Sequence, residues 1–283
     1  MKSVSNGVTL ISGCRGGGLG LIIGHREVKN GKTVMYTSTR PGLVMGTARK
    51  PERTDRWAGT VQDAQHLLDS TVLECDVANE ESVDALFAGL AAQGVVLGGY
   101  VFAVAGGPKS IIGGDMFHAT PEEYLEGFKV NVLGFRNMIE AGIGHKVWAD
   151  NASFLALGSD NAFTWPGYGA MGPMKAALEK WTLDCARQPP APGFRFNVLI
   201  TGPVKSMAGR VIEGFDAMCT VYEQEVGWTQ ERAREVIGEG ACELLSPVCR
   251  ITGRAVYADL GMHDRLMANP PLLQQLLAKA VAG

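Results

Sequence analysis

The run Val8-Thr9-Leu10-Ile11-Ser12 is apolar along its length and stops in a glycine-rich stretch, Gly13 to Gly20. A short strand of that kind is buried on both faces, as in parallel sheets, whose crossovers are usually helical. Leu19 to Asn30 reads as a helix stopped by Gly31, so the chain opens as strand, loop, helix. The rhythm continues, with strands expected at 33–37, 71–74, 100–105, 152–157, 195–200 and 253–258. A helix is expected around Trp57–Leu68, and Asn79 caps another that runs to Ala92. Thr120-Pro121-Glu122-Glu123 combines a capping box with proline at the first helical position. The long helix it starts carries Phe128, Val132, Phe135 and Ile139 on one apolar stripe. A further helix is expected to carry Tyr168 and to run to Arg187, and Ser38 to Arg56 reads as a polar, basic loop. Alternation of this kind defines an α/β fold, a doubly wound parallel sheet with right-handed crossovers. With no internal repeat and no low-complexity linker, residues 1–283 are expected to form a single domain. Residues 204–245 are longer than a crossover needs and are expected to form a helical flap over the site.

Composition removes several classes of function. A net charge of −3 gives no reason to expect nucleic acid or an anionic membrane as partner. No apolar run reaches the roughly 18 residues of a membrane span. The stretch Met1 to Gly7 has no signal-peptide core, which implies a cytoplasmic protein. Six scattered cysteines without a C-x-x-C pair are expected to be reduced, and five histidines without i, i+4 spacing give no metal site.

Two patterns carry chemistry. Glycines between a strand and a helix let phosphates approach backbone amides at the helix N-terminus, so Gly13, Arg15, Gly18, Leu19 and Gly20 are candidates for holding a dinucleotide; a merely flexible turn is the alternative. An acidic residue after the second strand would bind the ribose 2′-hydroxyl of NAD, but the chain has Thr37-Ser38-Thr39-Arg40 there. Ser38 and Arg40 therefore favour NADP(H) over NAD(H), unless Arg40 only sits in a solvated loop. The second pattern is Tyr168 and Lys175, seven residues apart with Gly172 between them. On a helix that spacing puts both on one face, where an ammonium would lower the phenol's pKa and make it a usable general acid.

Together these residues resemble the short-chain dehydrogenase/reductase superfamily, with its Rossmann fold. The glycine loop is similar to its T-G-x-x-x-G-x-G, with Ser12 for threonine and one extra residue. Asp76-Val77 resembles the family's adenine-binding pair, Ala105-Gly106 lies where its N-N-A-G turn falls, and Asn131 matches its structural and proton-relay asparagine. Most members carry Tyr-x-x-x-Lys. Here Tyr168-Gly169-Ala170-Met171-Gly172-Pro173-Met174-Lys175 instead resembles the divergent enoyl-acyl-carrier-protein reductases, with Tyr-x6-Lys. Thr201-Gly202-Pro203-Val204-Lys205-Ser206-Met207-Ala208 is similar to that branch's A-G-P-I-(K/R)-T-L-A. There the backbone of Gly202, Pro203 and Val204 would meet the nicotinamide carboxamide and Ser206 the pyrophosphate. The likeness covers about residues 7–262 and includes the last-strand pattern at Ile251–Gly261.

Departures bear on the substrate. The branch's usual aromatic residue, nine or ten before the tyrosine, is replaced by Ser159 or Gly158, and the ketoreductase serine, thirteen before it, by Leu155. Ser153, Ser159, Trp165 and Met207 remain as candidate substrate residues. The resemblance implies an NADP(H)-dependent oxidoreductase that reduces an activated double bond, an enoyl thioester on acyl carrier protein or coenzyme A, in specialised metabolism. Tyr168, Lys175 and Asn131 would be its catalytic residues. A carbonyl reductase or alcohol dehydrogenase is the alternative, with Ser153 or Ser159 polarising the carbonyl. A nucleotide-binding scaffold without turnover is the third reading. The resemblance also implies a homo-oligomer, a dimer or homotetramer, and the apolar stretch Pro271–Leu277 is expected to be covered by a neighbour.

Overall fold

The computed structural model describes residues 7–53, 59–113, 116–163, 165, 167–269, 271, 272, 274, 275 and 278. Trp57 and parts of the expected C-terminal contact, Leu273, Leu276 and Leu277 among them, lie outside the described residues. In chain order the elements are β1 (Val8–Ser12), α1 (Leu19–Lys29), β2 (Val34–Ser38), α2 (Pro41–Ala48), α3 (Val61–Leu68), β3 (Thr71–Glu74), α4 (Glu80–Ala92) and β4 (Leu97–Phe102). After these come α5 (Lys109–Ile112), α6 (Pro121–Phe128), a π-helical turn (Lys129–Leu133), α7 (Gly134–Gly144), β5 (Trp148–Gly158), α8 (Met171–Arg187) and β6 (Arg195–Thr201). The chain continues with α9 (Phe215–Val226), α10 (Gln230–Leu245), β7 (Arg254–Ala258) and α11 (Met262–Ala268).

All neighbouring strands pair in parallel, in the order β3-β2-β1-β4-β5-β6-β7. The alternation of side chains along each strand sorts the core into two layers. On β4, Val101 packs with α1 and α10 on one face, while Tyr100 and Phe102 pack with α4 and α7 on the other. On β5, Leu155 and Leu157 join the first layer, and Phe154 and Ala156 the second. The strand order reverses between β1 and β4, and such a switch point opens a crevice at the carboxyl ends of the strands.

Local signals explain several element ends. The Thr120 and Asn79 side chains accept hydrogen bonds from the Glu123 and Ser82 amides, as their capping patterns require. Of the apolar stripe, Val132, Phe135 and Ile139 are buried, while Phe128 is partly exposed. The expected loop at 38–56 instead contains α2, which buries Val44 and Ala48 against the first core layer despite two glycines. The expected flap at 204–245 divides in two. Its second part, α10, lies against α1, β5 and β6 as an ordinary crossover helix, while the part before it carries α9, which packs on α11 and buries Val221 and Tyr222 in the first core layer.

Candidate active site

The β1–α1 loop is pressed flat against its surroundings. Gly13 has φ of 99°, and a Cβ there would lie 2.4 Å from the Ala103 carbonyl oxygen. A Cβ at Gly20 would lie 2.0 Å from the Gly13 carbonyl oxygen. Gly18 begins α1 without a side-chain cap, which leaves the Leu19 and Gly20 amides at the helix start to meet an anion, while the Leu21 amide donates to the Gly18 carbonyl at 3.1 Å. Leu19 is half-buried beside them, and Arg15 is exposed on the loop. The Ser12 hydroxyl is 2.9 Å from both Thr37 Oγ1 and Tyr100 Oη, tying the ends of β1, β2 and β4. Beyond β2, the Arg40 amide donates to Ser38 Oγ at 3.1 Å, and the Arg40 side chain is exposed at the start of α2. Past β3, the Asp76 carboxylate accepts from the Ala78 amide, and the carbonyl of buried Val77 accepts from Asn137 Nδ2. Glycines where a Cβ would clash, an uncapped helix and a nearby guanidinium together fit a dinucleotide.

Asn131 sits in the π-helical turn, completely buried. Its Oδ1 accepts from the Gly106 amide at 3.2 Å, and its Nδ2 donates to the Gly106 and Gly127 carbonyls at 2.7 and 2.8 Å. One side chain thus fixes the Ala105-Gly106 turn after β4. Lys175, also buried, donates from Nζ to the Leu157 carbonyl at 2.9 Å and the Val104 carbonyl at 3.2 Å. Burial pushes its pKa down to about 8.

Tyr168 is not on a helix. It lies before α8, between Gly167 and Gly169, which have φ of 75° and 57°. The spacing of two helical turns therefore does not place it; a left-handed glycine on each side does. Its ring still faces Gly172, where a Cβ would be 3.8 Å away. The expected lowering of the phenol pKa by Lys175 is not found either. Burial raises the Tyr168 pKa, and the group that opposes this is Ser159, whose hydroxyl lies beside the phenol without forming a complete hydrogen bond.

Ser153 is removed from the substrate set. It lies in the part of β5 paired with Arg195, is 1% exposed, and donates to the Leu244 carbonyl at 2.9 Å, so its hydroxyl serves the sheet. Gly158 has no room for the branch's aromatic side chain, because a Cβ there would lie 2.7 Å from Val198 Cγ1. Trp165 is buried just before Tyr168, and Met207 is half-buried after β6. Ser206 Oγ accepts from the Gly209 amide at 3.2 Å. Behind Gly202, Pro203 and Val204 stands Trp228, a residue that sequence patterns did not single out. Its Nε1 donates to the Pro203 carbonyl at 2.9 Å, and a Cβ on Gly202 would lie 2.7 Å from its ring.

Fold and site together define a nicotinamide-dependent oxidoreductase of the short-chain dehydrogenase/reductase type. The family model described as enoyl-(acyl carrier protein) reductase matches residues 47–263, and the chain belongs to that family. It is similar to the enoyl-[acyl-carrier-protein] reductase [NADH] of Haemophilus influenzae, 30% identical over 203 residues covering 70% of this chain and 76% of that protein. It is 28% identical over 257 residues to the Escherichia coli enzyme of the same name, covering 84% of this chain and 96% of that one. In fold it matches the Bacillus cereus enoyl-acyl carrier protein reductase solved with NADP+ and indole naphthyridinone, with TM-score 0.77 and 19% identity, over 93% of this chain and 99% of that one.

Proposed function

We propose that this chain reduces the double bond of an enoyl thioester, carried on acyl carrier protein or coenzyme A, with NADP(H) preferred over NAD(H). The observation that carries the reading is the grouping of a phenol, an adjacent hydroxyl and a buried lysine at the carboxyl edge of β5, beside a loop built for a pyrophosphate. A reduced nicotinamide bound in this crevice would supply a hydride. The protein's own work is to manage the substrate oxygen. Tyr168, whose pKa burial raises, would hold its proton at that oxygen as negative charge develops. Lys175 would reach the ribose from its seat on the Val104 and Leu157 carbonyls. Asn131 would act by holding the turn at Gly106. Gly202, Pro203, Val204 and Ser206 would line the nicotinamide side, with Trp228 behind them.

The cofactor preference rests on Arg40 and on the lack of a carboxylate at Thr37–Arg40, since the Haemophilus and Escherichia relatives are named for NADH. Carbonyl reduction is the second reading, favoured by the Ser159 hydroxyl beside Tyr168. Pure protein incubated with NADPH and matched enoyl and 3-oxoacyl thioesters separates the two. Loss of reduced-nicotinamide absorbance is expected with the enoyl partner. Consumption with the 3-oxoacyl partner alone would transfer the assignment to the carbonyl reductases.

A further inference from the structure

Ser159 stands beside the Tyr168 phenol, yet its hydroxyl makes no full hydrogen bond of its own. Its place is therefore set by its neighbours along the chain. On one side is Gly158, the last residue of β5, held in the sheet by pairing with Ile200. On the other is Asp160, where the strand has ended. Asp160 Oδ1 accepts from the Ala162 amide at 3.0 Å, which only closes a local turn. Asp160 Oδ2 lies 2.6 Å from Nδ1 of His263, 103 positions away on α11.

His263 is itself held by its surroundings. Its amide donates to Asp259 Oδ2 at 2.8 Å, and the other oxygen of that buried carboxylate accepts from the Gly261 amide at 2.9 Å. Its ring stacks on Tyr257 with centroids 4.0 Å apart. Between them, Leu260 and Gly261 have φ of 58° and 79°. Leucine rarely adopts the left-handed region, and it stays there only where the surrounding structure over-determines it. The chain after β7 thus bends sharply and delivers the imidazole to Asp160. A second tie reaches the same segment, because Asn161 Nδ2 donates to Glu179 Oε2 on α8 at 2.7 Å. That contact is exposed, and water competes for both its groups. The Asp160 and His263 side chains are only 10% and 19% exposed, and a hydrogen bond to a carboxylate is among the stronger kinds. The His263 contact is the one that decides where Asp160 stands.

Resting on the enoyl-thioester reading, we propose that His263 is a positioning residue, which through Asp160 holds Ser159 against Tyr168. The reacting tyrosine, on the loop after β5, is thus adjusted from the chain that follows β7.

The test pairs turnover with a spectroscopic reading of the phenol. His263→Phe keeps a ring to stack on Tyr257 and removes the N–H. His263→Asn places an amide N–H where Nδ1 stands. The full-length protein is labelled with carbon-13 at tyrosine Cζ, and Tyr168→Phe identifies the Tyr168 signal among the six tyrosines. That signal is expected to shift in His263→Phe and to return to its wild-type position in His263→Asn, while those of Tyr36 and Tyr100 stay in place. For α,β-unsaturated octenoyl pantetheine with NADPH, kcat should fall on the order of 10–100-fold in His263→Phe, with little change in KM for NADPH. It should recover in His263→Asn. A Tyr168 signal that ignores His263→Phe, or fails to return in His263→Asn, overturns the proposal and means that the pair only braces α11. An unchanged kcat beside a shifted signal overturns it too. Asp160→Ala carries the same expectations if His263→Phe does not fold. Failure of the wild type to reduce any enoyl thioester would defeat the enoyl reading separately, leaving the tyrosine signal to judge this one.

Discussion

The two sides of the crevice treat their polar groups in opposite ways. On the β1–β4 side, Ser12 bridges Thr37 and Tyr100, Asn131 holds both polar atoms of Gly106, and Asp76 holds Ala78. On the β5–α8 side, the Ser159 hydroxyl and the Trp165 indole N–H are buried without a full hydrogen bond. The first side owes its shape to internal bonds. The second leaves buried polar atoms unpaired. Polar groups are therefore tied off at one part of the sheet edge and left unpaired at another.

The strongest way to break this contrast is Tyr168→Phe. If the β5–α8 side only performs chemistry, turnover should fall on the order of 10²–10⁴-fold while nucleotide affinity holds. Stopped-flow absorbance and a fluorescence titration read the two separately, and parallel losses would mean that the sides are not independent. Asn131→Ala should do the reverse and strike the fold first. It strands the Gly106 amide and the Gly106 and Gly127 carbonyls, at a cost of roughly 2–4 kcal/mol in denaturant unfolding.

Arg40→Ala sharpens the comparison at the cofactor end. NADPH should bind on the order of 10-fold more weakly, from the loss of one charge-assisted contact, with NADH almost unaffected. Equal effects on both nucleotides would remove Arg40 from the 2′-phosphate. The smallest effect is expected behind α1, where His25 and His66 stack at 5.2 Å, with Tyr36 Oη 2.7 Å from His66 Nε2. Burial lowers both histidine pKa values below 6.5, followed by Lys29 for His25 and by His25 for His66. The folded state thus binds fewer protons than the unfolded chain. Stability is full above the unfolded pKa of 6.5 and is lost as pH falls through it toward the folded values. The melting temperature should drop between about pH 7 and pH 5, and His66→Gln should flatten that drop.

Backbone demands explain what the sequence revealed and what it hid. The β1 run, the glycine loop and the Thr120 capping box are local, and their geometry follows from a few adjacent residues. The helix at Pro41–Ala48 is not local. Gly42 and Gly46 argue against it, and the burial of Val44 and Ala48 decides in its favour. The place of Tyr168 was readable in principle, because Gly167-Tyr168-Gly169 signals left-handed turns and not a helix. Ser153 looked available because hydroxyls near a strand end suggest a site, but only the register with Arg195 shows which part of β5 it occupies. No pattern marks Trp228, whose place behind Pro203 comes from distant packing.

Where the segment before α9 meets the loop that carries Tyr168, backbone approaches backbone. A Cβ on Gly113 would press into the Val211 carbonyl at 2.8 Å, and one on Gly167 into the Glu213 carbonyl at 2.7 Å. Any side chain at either position holds the flap outward by its own thickness. Glycine already has the least bulk available, so neither position can tighten the entrance by substitution. Mutation at these two points works as a ratchet that only widens. A single substitution can loosen this seam, but none at these two positions can draw it closer.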